Sequence, residues 1–123
     1  MLMGEFKQEV IRINNKVNME VFGQGLLSQR VEIFQDKILI VANNRRVKVL
    51  SMVDRTDNAT TKLMDVALLT EFKERFVEMM EEQLGLKVLT HLKDYDPKLE
   101  ISISVTILEK PVEELLPYLK PCK

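Results

Sequence analysis

Residues 99 to 107, Leu99-Glu100-Ile101-Ser102-Ile103-Ser104-Val105-Thr106-Ile107, alternate five apolar side chains with four polar ones without a break. Successive side chains of an extended strand point to opposite faces, so this is the period of a strand with one face buried and one face wet. The pattern predicts a sheet whose apolar side is sealed by helices. No residue type suited to bond making lies near it, so it constrains architecture far more than chemistry.

The segments before it supply the helices. Phe6, Val10, Ile13 and Val17 recur at spacings of four, three and four, one stripe of an amphipathic helix over about 5 to 22. Lys7, Glu9, Arg12, Asn14, Asn15 and Lys16 cover its remaining surface, and Gly23-Gln24-Gly25 ends it, because glycine takes the left-handed conformation of a helix cap. Val31-Glu32-Ile33-Phe34 and Ile38-Leu39-Ile40-Val41-Ala42 flank the polar Gln35-Asp36-Lys37 and read as a hairpin. The second run is apolar on both faces, which places it centrally with a helix over one face.

Two readings stay open from Asn43 to Asp54. Asn43-Asn44 can turn the chain into a strand over 46 to 50, or Ser51 can cap a short helix with Asp54 three positions on. Leu69, Phe72, Phe76, Met79 or Met80, and Gln83 or Leu84 then mark a long helix over about 61 to 84, stopped by Gly85. A strand over 86 to 92, a turn at Asp94-Tyr95-Asp96-Pro97-Lys98 and the alternating strand over 99 to 108 follow. Pro111, Glu113 and Glu114 open a short helix over about 111 to 119. The expected fold is α+β, a two-layer sandwich in the order α-β-β-α-β-β-α, mainly antiparallel hairpins with helices on one face. It forms one domain over 1–123, with its core within about 5 to 108.

Composition removes several function classes. The net charge of −1 gives no global attraction to nucleic acid or anionic lipid. No apolar run approaches the roughly 20 residues of a membrane span, and Met1 to Phe6 lacks a signal-peptide pattern. A cytoplasmic location is expected. The single cysteine, Cys122, excludes an internal disulfide framework and a multi-thiolate zinc site, and reads as a functionless terminal thiol.

The residues that could carry chemistry have plainer readings. Glu81-Glu82 is a solvated helix face and Glu113-Glu114 a helix N-terminus, so neither pair reads as a catalytic or metal site. His91, the one histidine, lacks a sequence neighbour that would make it a general base, since Asp94 and Asp96 read as turn formers. Gly23-Gln24-Gly25 follows a helix, whereas a dinucleotide fingerprint follows a strand. Arg45, Arg46 and Lys48 form the one local basic cluster and are the candidate partner contact. Gly23, Gly25, Ser51 and Gly85 are candidate structural caps. No catalytic residue, cofactor or metal ligand is expected.

Several segments resemble MpsC-type proteins, a bacterial family of small domains. The carriers are the first helix with Gly23-Gln24-Gly25, the segment Val31-Glu32-Ile33-Phe34-Gln35-Asp36-Lys37-Ile38-Leu39-Ile40-Val41, and Val49-Leu50-Ser51-Met52-Val53-Asp54, which echoes a V-L-T-P-x-E helix start. Met79-Met80-Glu81-Glu82-Gln83-Leu84-Gly85-Leu86-Lys87-Val88 and the last strand complete the match. Leu26 and Met52 stand where the family has prolines. The resemblance implies a non-enzymatic soluble subunit of a sodium-translocating, membrane-potential-generating system.

Three functions follow for testing. The first is an interaction or regulatory subunit, self-associating as a homodimer and accessory to a membrane cation- or bicarbonate-handling complex, since two hairpins leave sheet edges to pair. The second is a nucleic-acid-binding module using Arg45, Arg46 and Lys48, which the net charge disfavours. The third is a small-ligand binder or enzyme with a helix–sheet pocket around His91.

Overall fold

The computed structural model describes residues 1–120. Cys122 lies outside them. The elements are α1 (Met3–Phe22), β1 (Ser28–Phe34), β2 (Lys37–Asn43), α2 (Lys48–Thr56), α3 (Asn58–Leu84), β3 (Val88–Asp96), β4 (Ile101–Leu108), α4 (Val112–Leu115) and a 3-10 turn at Leu116–Tyr118. The sheet runs β1-β2-β4-β3, every neighbour antiparallel. This is the expected α+β arrangement, with β2 and β4 central.

The stripe on α1 forms as its spacing dictates. Phe6, Val10, Ile13 and Val17 are fully buried, and each such burial stabilises by roughly 1.5–3 kcal/mol relative to exposure. They meet Phe72, Phe76, Met80 and Leu84 of α3 and Val31, Ile38, Ile40, Val88 and Leu108 of the sheet. Gly23 and Gly85 end α1 and α3 at φ 73° and 74°, and their N–H groups donate to Met19 O and Glu81 O. Both are left-handed caps, as expected. Gly25 has a different role: it is not left-handed, and a Cβ there would approach Asn15 Oδ1 to 3.3 Å.

Several expectations need correction. Residues 46 to 50 are not a strand. Lys48 already begins α2, and Ser51 lies inside that helix with its N–H donating to Val47 O at 3.0 Å. Ser51 therefore caps nothing. The capping side chain is Asp57, which accepts from Thr60 N–H at 3.1 Å and carries α3 back to Asn58. Asn44 does not turn the chain either. It is buried in a reciprocal amide pair with Asn18 of α1, at 3.0 and 3.4 Å. Glu9 and Asn14 are likewise buried, Glu9 against Arg12 and Asn14 against Gln29. β3 runs on through Asp94 and Tyr95 to Asp96, whose Oδ1 accepts from Lys98 and Leu99 N–H and sets the turn later.

The largest correction concerns the phase of β4. Ser102, Ser104 and Thr106 lie buried beneath the helices, while Ile101, Ile103, Val105 and Ile107 point away from them. The apolar side of this strand is not sealed. Volume explains the choice. His91 and Lys93, which pair with Thr106 and Ser104, lie against Phe76 and Phe72 of α3. The space over β4 is filled by side chains from β3 and α3, so the strand beneath contributes small residues.

Candidate functional site

The helix-covered side holds three arrangements of ionisable groups. The first is at the corner where α2 meets α3. The Arg46 side chain is only 8% exposed. Its Nε and Nη2 donate to both oxygens of Asp54 at 2.9 Å, and its Nη1 donates to Asp65 Oδ1 at 2.7 Å. Its backbone N–H donates to Glu100 Oε2 at 2.7 Å. These bonds to Asp54 and Asp65 hold the guanidinium firmly charged and draw the Asp54 carboxyl below its ordinary range. Of the expected partner contacts, Arg46 is thus turned inward, while Arg45 and Lys48 remain exposed.

Beside this corner lies a small cavity of about 20 Å³, bordered by Arg46, Leu50, Asp65, Lys93 and Tyr95. It is of the size of one water molecule. The Tyr95 hydroxyl donates to Asn44 O at 2.8 Å, and burial pushes its pKa up to about 12. Lys93 reaches the same place from β3. Its Nζ stands 3.5 Å from the centre of the Phe72 ring, and burial lowers its pKa to about 7.

His91 is the third arrangement. Its ring stacks on Phe76 at 4.4 Å between centroids, and its Nδ1 bonds Thr106 Oγ1 at 2.8 Å. Burial, then the charges of Lys93 and Lys73, lower its pKa to about 3. The imidazole is neutral at ordinary pH, and Nε2 has no hydrogen-bond partner among the described residues. His91 also borders a shallow open groove with Lys73, Glu74, Glu78 and Glu81, and none of those carboxylates bonds the ring. Among the described residues, no group of three or more His, Cys, Asp or Glu side chains could hold a metal ion. Likewise, no helix is long and apolar enough to cross a membrane.

Among the described residues, no helix lies on the other side of the sheet. The strand register arranges its outward residues in rows. Arg30, Val41, Ile103 and Asp94 form one row across β1, β2, β4 and β3. Glu32, Leu39, Val105 and Leu92 form the next, and Phe34, Lys37, Ile107 and Thr90 the one after. The centre is aliphatic and open to solvent: Val41 is 37% exposed, Ile103 48% and Leu92 59%. Charge is confined mainly to the two edge strands, where Arg30 and Glu32 pair at 2.7 Å on β1 and Asp94 stands on β3. An apolar patch rimmed by polar groups is the anatomy of an interaction surface.

Sequence reasoning missed this surface because it assigned the apolar half of β4 to the interior. A signal was present in β2, whose Leu39 and Val41 needed apolar company on the face opposite Ile38 and Ile40. No protein-family model, curated protein or solved structure matches the chain.

Proposed function

We propose that this chain is a non-enzymatic interaction or regulatory subunit that works by contact, self-associating through the uncovered face of its sheet. One observation carries the reading: Leu39, Val41, Leu92, Ile103, Val105 and Ile107 form a continuous aliphatic field that none of the described residues covers. Leaving such a field in water forfeits about 25 cal/mol for each Å² that a partner would bury. The interior arrangements support the same direction, because His91 and Arg46 are both engaged in packing and internal bonds.

The resemblance to MpsC-type proteins adds a setting, a bacterial membrane cation- or bicarbonate-handling complex to which a cytoplasmic subunit docks. That part of the proposal rests on the segments quoted above. Light scattering coupled to size-exclusion chromatography, over a concentration series, tests self-association. The expected result is a mass that rises to that of a dimer. A strict monomer at the highest attainable concentration overturns the reading.

A further inference from the structure

We infer that the occupant of the uncovered face is a second copy of this chain, packed sheet against sheet about a twofold axis running along the strands between β2 and β4, with Arg30 set against the partner's Asp94. The inference rests on the reading of this face as an interface and goes further by fixing its geometry.

Arg30, Val41, Ile103 and Asp94 lie in one row across the four strands. A twofold axis along the strands exchanges left and right and leaves the row in place. β1 of one copy then lies over β3 of the other, and β2 over β4. Arg30 comes over the partner's Asp94, and Asp94 over the partner's Arg30. Val41 meets the partner's Ile103, and in the next row Leu39 meets the partner's Val105. In this row the face is self-complementary in charge at its rims and in apolarity at its centre, as an isologous contact requires, and in the next row Glu32 comes over the partner's Leu92 with its own Arg30 still beside it. Packed sheets turn by about 30° relative to each other, which moves an edge strand by roughly one residue, within the reach of an arginine side chain.

The other twofold axis, across the strands, is less satisfactory. It sets Arg30 over the partner's Glu32, a carboxylate that already has a guanidinium from its own chain at 2.7 Å. It also leaves Asp94 without a cation from the partner. The axis along the strands gives Asp94 a cation and leaves Glu32 with its own Arg30.

Size and total charge are compatible with two copies. Four strands about 4.8 Å apart, with four outward positions about 6.8 Å apart on each, cover roughly 19 by 27 Å. That is roughly 500 Å² per copy and about 1,000 Å² in all, at the small end of specific interfaces. The net charge of −1 per chain offers little repulsion between copies.

Charge exchange tests the geometry. Dimerisation constants are measured by sedimentation equilibrium for the natural chain, Arg30→Asp, Asp94→Arg and the double exchange, with circular dichroism to verify folding. Both positions are exposed edge-strand residues, so the variants retain the sheet. Each single change is expected to weaken dimerisation about tenfold, and the double exchange to restore it to within a few-fold of the natural value. Ile103→Lys, at the centre, is expected to abolish the dimer. A natural dimer whose constant is untouched by the single changes, or is not recovered in the double exchange, overturns this geometry while self-association stands. A dimer that survives Ile103→Lys removes this face as the interface, and a monomeric natural chain overturns both inferences.

Discussion

The ammonium nitrogen of Lys93 stands 3.5 Å from the centre of the Phe72 ring, on the helix-covered side of the sheet. The ring's electron-rich face offsets part of the cost of taking that charge from water, and among the described residues no carboxylate pairs with it. Burial therefore lowers the lysine's pKa from 10.5 to about 7. Between those values the unfolded chain holds the proton that the folded chain has released, so stability rises with pH across that window. Urea unfolding measured at several pH values from about 7 upward is expected to show that rise, on the order of a few kcal/mol in total. Lys93→Met, which keeps the length of the side chain, is expected to flatten the slope and to raise stability near pH 7.

His91 gives a separate acid limb. Its pKa falls from 6.5 to about 3 in the folded chain, through burial first and the charges of Lys93 and Lys73 second. Below pH 6.5 the unfolded chain takes up a proton that the folded chain refuses. Stability is full above that pH and drains as pH falls toward about 3. Fluorescence- or ellipticity-monitored unfolding of His91→Leu is expected to lose this component of the acid limb. A variant with the same acid profile as the natural chain would assign the limb elsewhere.

Arg46 is expected to be the most sensitive surface-adjacent charge. Its fork holds Asp54 by two bonds and Asp65 by a third. Arg46→Ala leaves both carboxylates partly buried without their cation, a loss of about 2–4 kcal/mol. Arg46→Lys recovers little of it, because an ammonium cannot reproduce the planar fork. Thermal melts of the three proteins rank the effect, and the expected order is natural chain, then Lys, then Ala.

The caps separate by position. Asp57→Ala removes the side chain that accepts from Thr60 N–H and is expected to cost about 1 kcal/mol. Ser51→Ala, inside α2, is expected to change stability by less than about 0.5 kcal/mol. Gly23→Ala and Gly85→Ala each force a left-handed alanine at φ 73° and 74°, at about 1–2 kcal/mol. The Cβ at Gly85 also approaches Lys120 Cγ to 3.2 Å, but that flexible side chain can move aside. Denaturant midpoints of the four variants test the ranking.

Where periodicity and burial agree, the sequence was readable. The stripe Phe6, Val10, Ile13, Val17 and the series Phe72, Phe76, Met80, Leu84 each have one fully apolar side, and both helices formed with that side inward. β2, apolar on both sides, took its central place. The polar residues that went inside were not readable, because their partners are distant in the chain. Asn18 depends on Asn44, Arg46 on Asp65, and Lys93 on Phe72. A period of two also says that a strand has two different faces and leaves open which one meets the helices. For β4 that choice was made by the bulk of His91, Lys93, Phe72 and Phe76, which belong to the two preceding elements and not to the strand itself.

The buried Ser102, Ser104 and Thr106 have a consequence for how the chain reaches its native state. Sliding β4 by a single position against β2 and β3 would swing Ile103 and Val105 under the helices, so a greasier but wrong pairing lies close at hand. What opposes the slip stands at the strand's two ends: the Asp96 turn before it, and Leu108, fully enclosed, whose N–H donates to Asp36 O at 2.8 Å. Those end anchors act as a ratchet against misregistration, and loosening either one would give the sheet two competing ways to zip.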